Sequence, residues 1–287
     1  MREAIRSATE QLAAAGVESP EHDAKALALH VLGLSKPSDL LLADGFDKTQ
    51  AAAYLELVGR RAQRVPLQHL IGSVGFRYIE LEVGPGVFVP RPETESVVQW
   101  AVDAIRAEGW TEPVLADLCT GSGTIAFALA NEVPGATVHA VERDPDALGW
   151  TRRNAANRAA AGDAEVQLHL GSVEESLLDM DGTFDLVASN PPYVVTSETQ
   201  LPDSEVVDHD PGVALFAGRD GLDVIRLVEQ AARRLLKPGG LVIVEHSDRQ
   251  STTAPALFVG WADVADHKDL AGRDRFVTAR SPGTWQR

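Results

Sequence analysis

The tetrapeptide Asn190-Pro191-Pro192-Tyr193 closes a short apolar run, Phe184-Asp185-Leu186-Val187-Ala188-Ser189. The run reads as a buried parallel strand, and ligands of open α/β sheets gather beyond the carboxyl ends of such strands. Two successive prolines fix φ and remove two backbone donors, so the chain leaves the strand as a stiff loop with free carbonyls. Asn190 brings a side-chain oxygen, Pro191 a backbone carbonyl and Tyr193 a flat aromatic face. Together they form a receptor for a planar –NH2 group; the plainer alternative is a proline-rich turn that ends a strand. Such a nitrogen is a poor nucleophile because its lone pair is delocalised into a π-system. Accepting both N–H bonds on Asn190 Oδ1 and the Pro191 carbonyl draws electron density onto it and turns it toward an electrophile. Asn190, Pro191 and Tyr193 are therefore the candidate catalytic group. No strong base is required, since the nitrogen becomes acidic only as the new bond forms. The spacing alone does not separate glutamine from adenine or cytosine.

A second constellation supplies a ligand site. Cys119-Thr120-Gly121-Ser122-Gly123-Thr124 follows the run Val114–Leu118 and leads into the helical stretch Ile125–Ala130. Glycines there let a ligand approach free N–H groups at a helix N-terminus. Glu142, nineteen residues beyond Gly123, closes the next strand, a position from which an acid holds a ribose diol. The same pattern fits a G-x-G-x-x-A dinucleotide fingerprint, so a nicotinamide enzyme is the alternative. Two features favour S-adenosylmethionine: Asn-Pro-Pro-Tyr, for which hydride transfer has no use, and the lack of a His or Lys placed as its acid–base partner. The eight histidines show no metal-ligand spacing, and no metal site is predicted. Asp117 is placed to orient the glycine turn, and Glu245-His246, ending a later strand, is read as loop packing.

Composition narrows the classes. With 44% hydrophobic and 24% charged residues, the chain reads as globular, and no apolar run nears the roughly 20 residues of a membrane span. A net charge of −16 repels a phosphate backbone, which disfavours nucleic-acid binding and suits a small or basic partner. The single cysteine, Cys119, excludes an intrachain disulfide and fits a reducing cytoplasm. Arg60, Arg61 and Arg64 form the most basic cluster and read as a solvated helix face.

The elements that must hold these residues follow from periodicity. Residues 1 to about 70 read as helical: Leu27, Ala28, Val31 and Leu32 follow Ser19-Pro20 in N-cap and N1 positions, and Tyr54, Leu55 and Val58 repeat the spacing. Alternation over Phe76–Val83 with turn residues Gly84-Pro85-Gly86 predicts a β-hairpin. Pro90-Arg91-Pro92-Glu93-Thr94 enters a helix whose first turn holds Glu93 and Glu95. From about residue 113, strand-like runs at 114–118, 137–141, 166–170, 184–189 and 241–244 alternate with helical stretches, which predicts a mostly parallel sheet covered on both faces. The polar segment 194–220 is expected to form a lid or substrate loop.

Several strings resemble one family across nearly the whole chain. They are Pro66–Gly72, Val87-Phe88-Val89-Pro90-Arg91-Pro92-Glu93-Thr94-Glu95, Asp117–Gly123, Asn190–Tyr193 and Lys268–Arg275. The sequence is similar to the HemK family of peptide chain release factor N5-glutamine methyltransferases. The resemblance implies a class I S-adenosylmethionine-dependent methyltransferase: a Rossmann-like, mostly parallel seven-stranded sheet, a small N-terminal helical domain (1–74) for substrate recognition, a β-hairpin linker (75–90) and a methyltransferase domain (91–287). It implies methylation of the glutamine in the Gly-Gly-Gln loop of class I release factors; composition and charge add the expectation of a cytoplasmic protein, taken as a monomer, without direct nucleic-acid or membrane binding. Glutamine methylation of a ribosomal protein and N6-adenine methylation of nucleic acid are the alternatives, with a non-catalytic binding module last. By position, Asn190, Pro191, Pro192 and Tyr193 would bind the glutamine amide, with Phe88 walling the pocket beside Arg91 and Glu93. Cys119, Thr120, Gly121, Ser122, Gly123, Glu142, Val173 and Asn190 would bind the cofactor. Three positions depart from the family pattern: Cys119 stands where glycine is usual, Glu142 where aspartate is common, and Ser172 where an acid often meets adenine.

Overall fold

Helix-forming periodicity dominates the first quarter of the chain in the computed structural model, which describes residues 1–196, 205 and 209–283. Helices α1 (Arg2–Ala14), α2 (Pro20–Leu32), α3 (Lys48–Ala62) and α4 (Leu67–Ile71) form one compact unit, Met1–Ser73, which Glu205 and His209 join from further along. Leu12, Leu27, Tyr54, Val58 and Leu70 fill its core. Tyr54 is buried, donates its hydroxyl to the Ala24 carbonyl at 3.0 Å, and is pushed up to about 12 by burial. Leu55 departs from the periodic reading: it is 63% exposed on the opposite face of α3. Asp47 and Gln50 close a reciprocal capping box at the start of α3, each side chain accepting from the other's backbone N–H.

The basic cluster of α3 is not a solvated face. Arg60 is exposed, but Arg61 is buried and donates to Asp23 at 2.7 Å and Glu205 at 2.9 Å, while Arg64 reaches Glu205 at 2.8 Å. A guanidinium taken out of water persists only when carboxylates surround it. The sequence spacing gave no hint of acids 38 or more positions away.

The second unit begins at Val74, within a hairpin of β1 (Ser73–Phe76) and β2 (Ile79–Glu82). Its turn is at Arg77-Tyr78, not at the glycines of 84–86. Arg77 takes a left-handed φ of 50° and is held there by Glu132 at 2.6 Å, with further bonds to Glu95 and Gln99. Then come α5 (Thr94–Glu108), β3 (Val114–Leu118), α6 (Thr124–Glu132), β4 (Thr137–Glu142), α7 (Pro145–Ala160), β5 (Val166–Leu170) and β6 (Phe184–Ser189). Short α8 (Gly212–Leu215), α9 (Asp223–Leu235), β7 (Leu236–Glu245), β8 (Ala262–Lys268) and β9 (Asp274–Arg280) complete it. Of the segment 194–220, residues 197–204 and 206–208 lie outside the described residues. Among the described residues no helix is long and apolar enough to cross a membrane.

The seven strands from β3 to β9 form one sheet in the order β5-β4-β3-β6-β7-β9-β8, parallel except for β9, which runs antiparallel to both β7 and β8. Successive side chains alternate faces. Leu115, Leu186 and Ile243 join the layer of α5 and α6, and Ala116, Val187 and Val242 join the layer of α9. Burial on both faces explains the unbroken apolar runs.

Candidate active site

Strand register, rather than any one loop, assembles the site. Leu118 of β3 pairs with Val141 of β4 and with Ser189 of β6, and Ser189 pairs with Val244 of β7. The next residue on each strand is therefore Glu142, Cys119, Asn190 and Glu245. These four form a row along the carboxyl edge at strand spacings of about 4.8 Å. The row crosses the point between β3 and β6 where the strand order reverses, the place at which open α/β sheets bind ligands.

On the β3 side, the turn is built around two buried acids. Asp117 accepts from the Thr120 hydroxyl and from Ala126 N–H at 3.0 Å, which ties the turn to the first residues of α6. Its other oxygen, Oδ1, is buried without a hydrogen-bond partner among the described residues. Burial pushes Asp117 up to about 7 against the pull of those two bonds, and the neighbouring Glu142 adds to the rise. Glu142 accepts from Gly121 N–H at 2.8 Å and Asp144 N–H at 2.9 Å, and burial raises it above the usual carboxylate range. Each of its oxygens retains a lone pair.

Cys119 has φ of 64°. That left-handed conformation favours glycine, the residue the family resemblance leads one to expect here, since a side chain there crowds the neighbouring carbonyl. Burial, with Glu142 and Asp117 close by, pushes the Cys119 thiol up. Nothing stands within 4 Å of where a side chain on Gly121 would begin, so the turn is open at that point. Ser122 is turned inward, its hydroxyl against Thr124 at 3.0 Å, so it shapes the turn from beneath.

Gly123 has φ of 91°, and a Cβ there would lie only 2.0 Å from the edge of the Phe127 ring. Gly123→Ala should therefore cost about 2–4 kcal/mol through combined backbone strain and overpacking. Thermal melts would show this as a drop of several degrees, and an unchanged Tm would contradict the packing described.

Val173 is buried with Leu118 and Val141 beneath the turn. Ser172 accepts from Glu175 N–H at 3.3 Å, so its hydroxyl is used in closing a local turn.

On the β6 side, Asn190 is half-buried and donates its Nδ2 to Thr94 Oγ1 at 3.1 Å. Its Oδ1 is left as the acceptor end. Ser189 donates to the Leu118 carbonyl at 2.6 Å, which locks the loop's origin to β3. Tyr193 reaches Glu245 with its hydroxyl at 3.4 Å, and burial with the nearby carboxylate pushes the phenol up. Pro191 is buried and Pro192 half-buried. Val194 N–H donates to the Leu215 carbonyl at 2.8 Å, which anchors the loop's far end to α8.

Phe88 is half-buried, and its recorded partner is the Arg91 guanidinium 5.1 Å above the ring; Arg91 in turn pairs with Asp210 at 2.9 Å. Glu93 pairs with Arg273 at 2.6 Å. Arg91 and Glu93 thus brace the segment ahead of α5. Two residues of this site were missed: Thr94, and Glu245, which was read as loop packing. Glu245 instead ends β7 in the same row as Asn190, 1% exposed, with its carboxylate shared by Thr94 and Tyr193. The strand-end rule that singled out Glu142 could have found it.

A seven-stranded sheet with one antiparallel strand, and a ligand row at its reversal point, defines a class I methyltransferase. Solved structures share the fold: a Thermus thermophilus 16S rRNA N2 G1207 methyltransferase in complex with AdoMet and guanosine aligns at TM-score 0.54 with 20% identity, covering 73% of this chain and 49% of that one. The sequence profile described as the PrmC N-terminal domain matches residues 3–72, and that of a methyltransferase domain matches residues 112–274. Proteins named release factor glutamine methyltransferase are similar over almost their full length. That of Streptomyces coelicolor is 52% identical, covering 96% of both chains, and that of Mycolicibacterium smegmatis is 46% identical, covering 97% of both. The chain belongs to the release factor glutamine methyltransferase family.

The cofactor of that family is S-adenosylmethionine, and the residues present fit it. An open glycine turn, a strand-end acid with lone pairs to spare and a buried unpartnered carboxylate oxygen suit a ligand that carries both a diol and a cationic amino acid.

Proposed function

We propose that this enzyme methylates the side-chain amide nitrogen (N5) of the glutamine in the Gly-Gly-Gln loop of class I release factors. One observation carries the chemistry: Asn190 anchors its Nδ2 by donating one hydrogen to Thr94, so Oδ1 is the end of its carboxamide available to receive an –NH2. The Pro191 carbonyl, which proline geometry holds rigid, is the second acceptor, and Tyr193 offers the stacking face. Phe88 walls the pocket. Cys119, Thr120, Gly121, Ser122, Gly123, Glu142 and Val173 form the cofactor cradle, with Glu142 on the ribose hydroxyls. When bound, the cofactor supplies an electrophilic methyl carbon. Asn190 and Pro191 bind both amide hydrogens, fix the nitrogen's orientation and stabilise the positive charge that develops there.

The helical domain, 1–74, is the part that recognises the release factor; 75–90 links it to the transferring domain, 91–287. The enzyme acts in the cytoplasm as a monomer. Its net charge of −16 supports a protein partner over nucleic acid. The test is to incubate enzyme, methyl-labelled cofactor and a class I release factor, and to map the label. Label on the Gly-Gly-Gln glutamine is expected. Label confined to ribosomal proteins, or to DNA or RNA, would overturn the assignment.

A further inference from the structure

The reaction needs Asn190 to present oxygen rather than nitrogen, yet the two ends of a carboxamide are nearly the same size. Rotation by half a turn about the last side-chain bond would place a donor where the substrate also brings donors. Something must forbid that rotation.

The residues behind Asn190 do so by a one-way chain. Asn190 Nδ2 donates to Thr94 Oγ1 at 3.1 Å, and Thr94 donates its own hydrogen to Glu245 Oε2 at 2.7 Å. The other oxygen of the same carboxylate takes the Tyr193 hydroxyl at 3.4 Å. An ionised carboxylate only accepts, so Thr94 has no hydrogen left for Asn190 and can only receive from it. Thr94 is 2% and Glu245 1% exposed, so water does not offer either an alternative partner. We propose that Glu245 and Thr94 are positioning residues for methyl transfer, which fix the acceptor end of Asn190 toward the substrate amide and tie Tyr193 into the same frame. The proposal rests on Asn190 being the amide acceptor.

Direction in the chain depends on charge. Burial pushes the Glu245 carboxyl up to about 7, against the Thr94 bond, Arg275 from β9 and the Tyr193 bond, while Glu93 ahead of α5 pushes it further up. His246, next along the strand, is turned to Asp266 at 2.7 Å. Once protonated, Glu245 donates to Thr94, and the Thr94 hydroxyl is then free to point its hydrogen at Asn190 and favour the rotated amide. Turnover should accordingly be full well above pH 7, half-lost near it, and fall further as the pH drops.

The test uses the full-length enzyme, a class I release factor and labelled cofactor, with kcat, both KM values and cofactor Kd measured from pH 5.5 to 8.5. Thr94→Val, equal in size but unable to relay, should lower kcat at pH 8 by about 10- to 100-fold with cofactor Kd unchanged. Thr94→Ser should recover most of it. Glu245→Gln should lower kcat about tenfold and abolish the limb near pH 7. Unchanged cofactor Kd in each variant shows that the fold is intact. If Asn190→Ala is inactive while Thr94→Val and Glu245→Gln keep wild-type kcat and the wild-type pH profile, the relay is refuted and the acceptor role of Asn190 stands. If Asn190→Ala itself turns over normally, the acceptor reading fails, and the relay with it.

Discussion

Replacing Asn190 with alanine should lower kcat by at least 10²–10³-fold while leaving the protein folded and able to take up its cofactor. The magnitude follows from what one preorganised hydrogen-bonding group is worth where charge develops in a water-poor site. The sparing of the fold follows from position. Asn190 is half-buried, and among the described residues its side chain bonds only Thr94, which keeps its own bond to Glu245 when Asn190 is gone. A loss in kcat larger than any rise in KM identifies an interaction made mainly in the transition state. Steady-state kinetics on a release factor, with a thermal melt and a cofactor titration on the same preparation, check all three parts. Turnover within a few-fold of wild type would remove the central element of the mechanism.

Glu142→Ala should act on the opposite half of the site: cofactor Kd should rise by about 100-fold or more, with a much smaller change in kcat at saturating cofactor. Hydrogen bonds to a charged acceptor contribute about 1.5–3 kcal/mol each, and about 1.4 kcal/mol is tenfold in affinity. The carboxylate also accepts from Gly121 and Asp144, so its removal leaves two backbone donors without that partner and loosens the turn itself. Glu142→Gln, which keeps the shape and loses the charge, should fall between the two. Calorimetric titration measures the effect, and an unchanged Kd in the alanine variant would show that the ribose is held elsewhere.

The parallel strands were legible because burial on both faces demands unbroken apolar runs, as in Leu186-Val187-Ala188 and Leu241-Val242-Ile243-Val244. The pair β8 and β9 was invisible to that signal. Ala262–Lys268 leaves most of its residues to solvent, and Asp263, Asp266 and Lys268 break any run. The seven-strand count therefore came from the family resemblance, not from the pattern. The hairpin was misplaced for a different reason. Arg77 has no local preference for a left-handed turn, and it adopts one because Glu132, 55 residues on, holds its guanidinium. The site shows the same division. Asn190 and Glu142 were singled out because strand-end chemistry is local, and Asp117, read as an acid placed to orient the turn, accepts from Thr120 and Ala126 within it. Thr94 and Glu245 meet across 151 residues of sequence, and Arg61 and Asp23 across 38. No spacing rule carries such pairs. They arise only when helices pack against one another or onto the sheet.

Cys119 carries a consequence of its own. A methyl sulfonium alkylates thiolates readily, and thiolate rather than thiol is the reactive form. This enzyme keeps its only sulfhydryl, a bystander nucleophile, in the very turn assigned to cradling the methyl donor. Burial and the adjoining Glu142 and Asp117 carboxylates hold that sulfur protonated. Iodoacetamide at neutral pH should accordingly modify Cys119 far more slowly than a free thiol, and fast labelling would contradict this. On the function proposed, the acids of this turn would also protect it from self-methylation, at a backbone conformation that favours glycine.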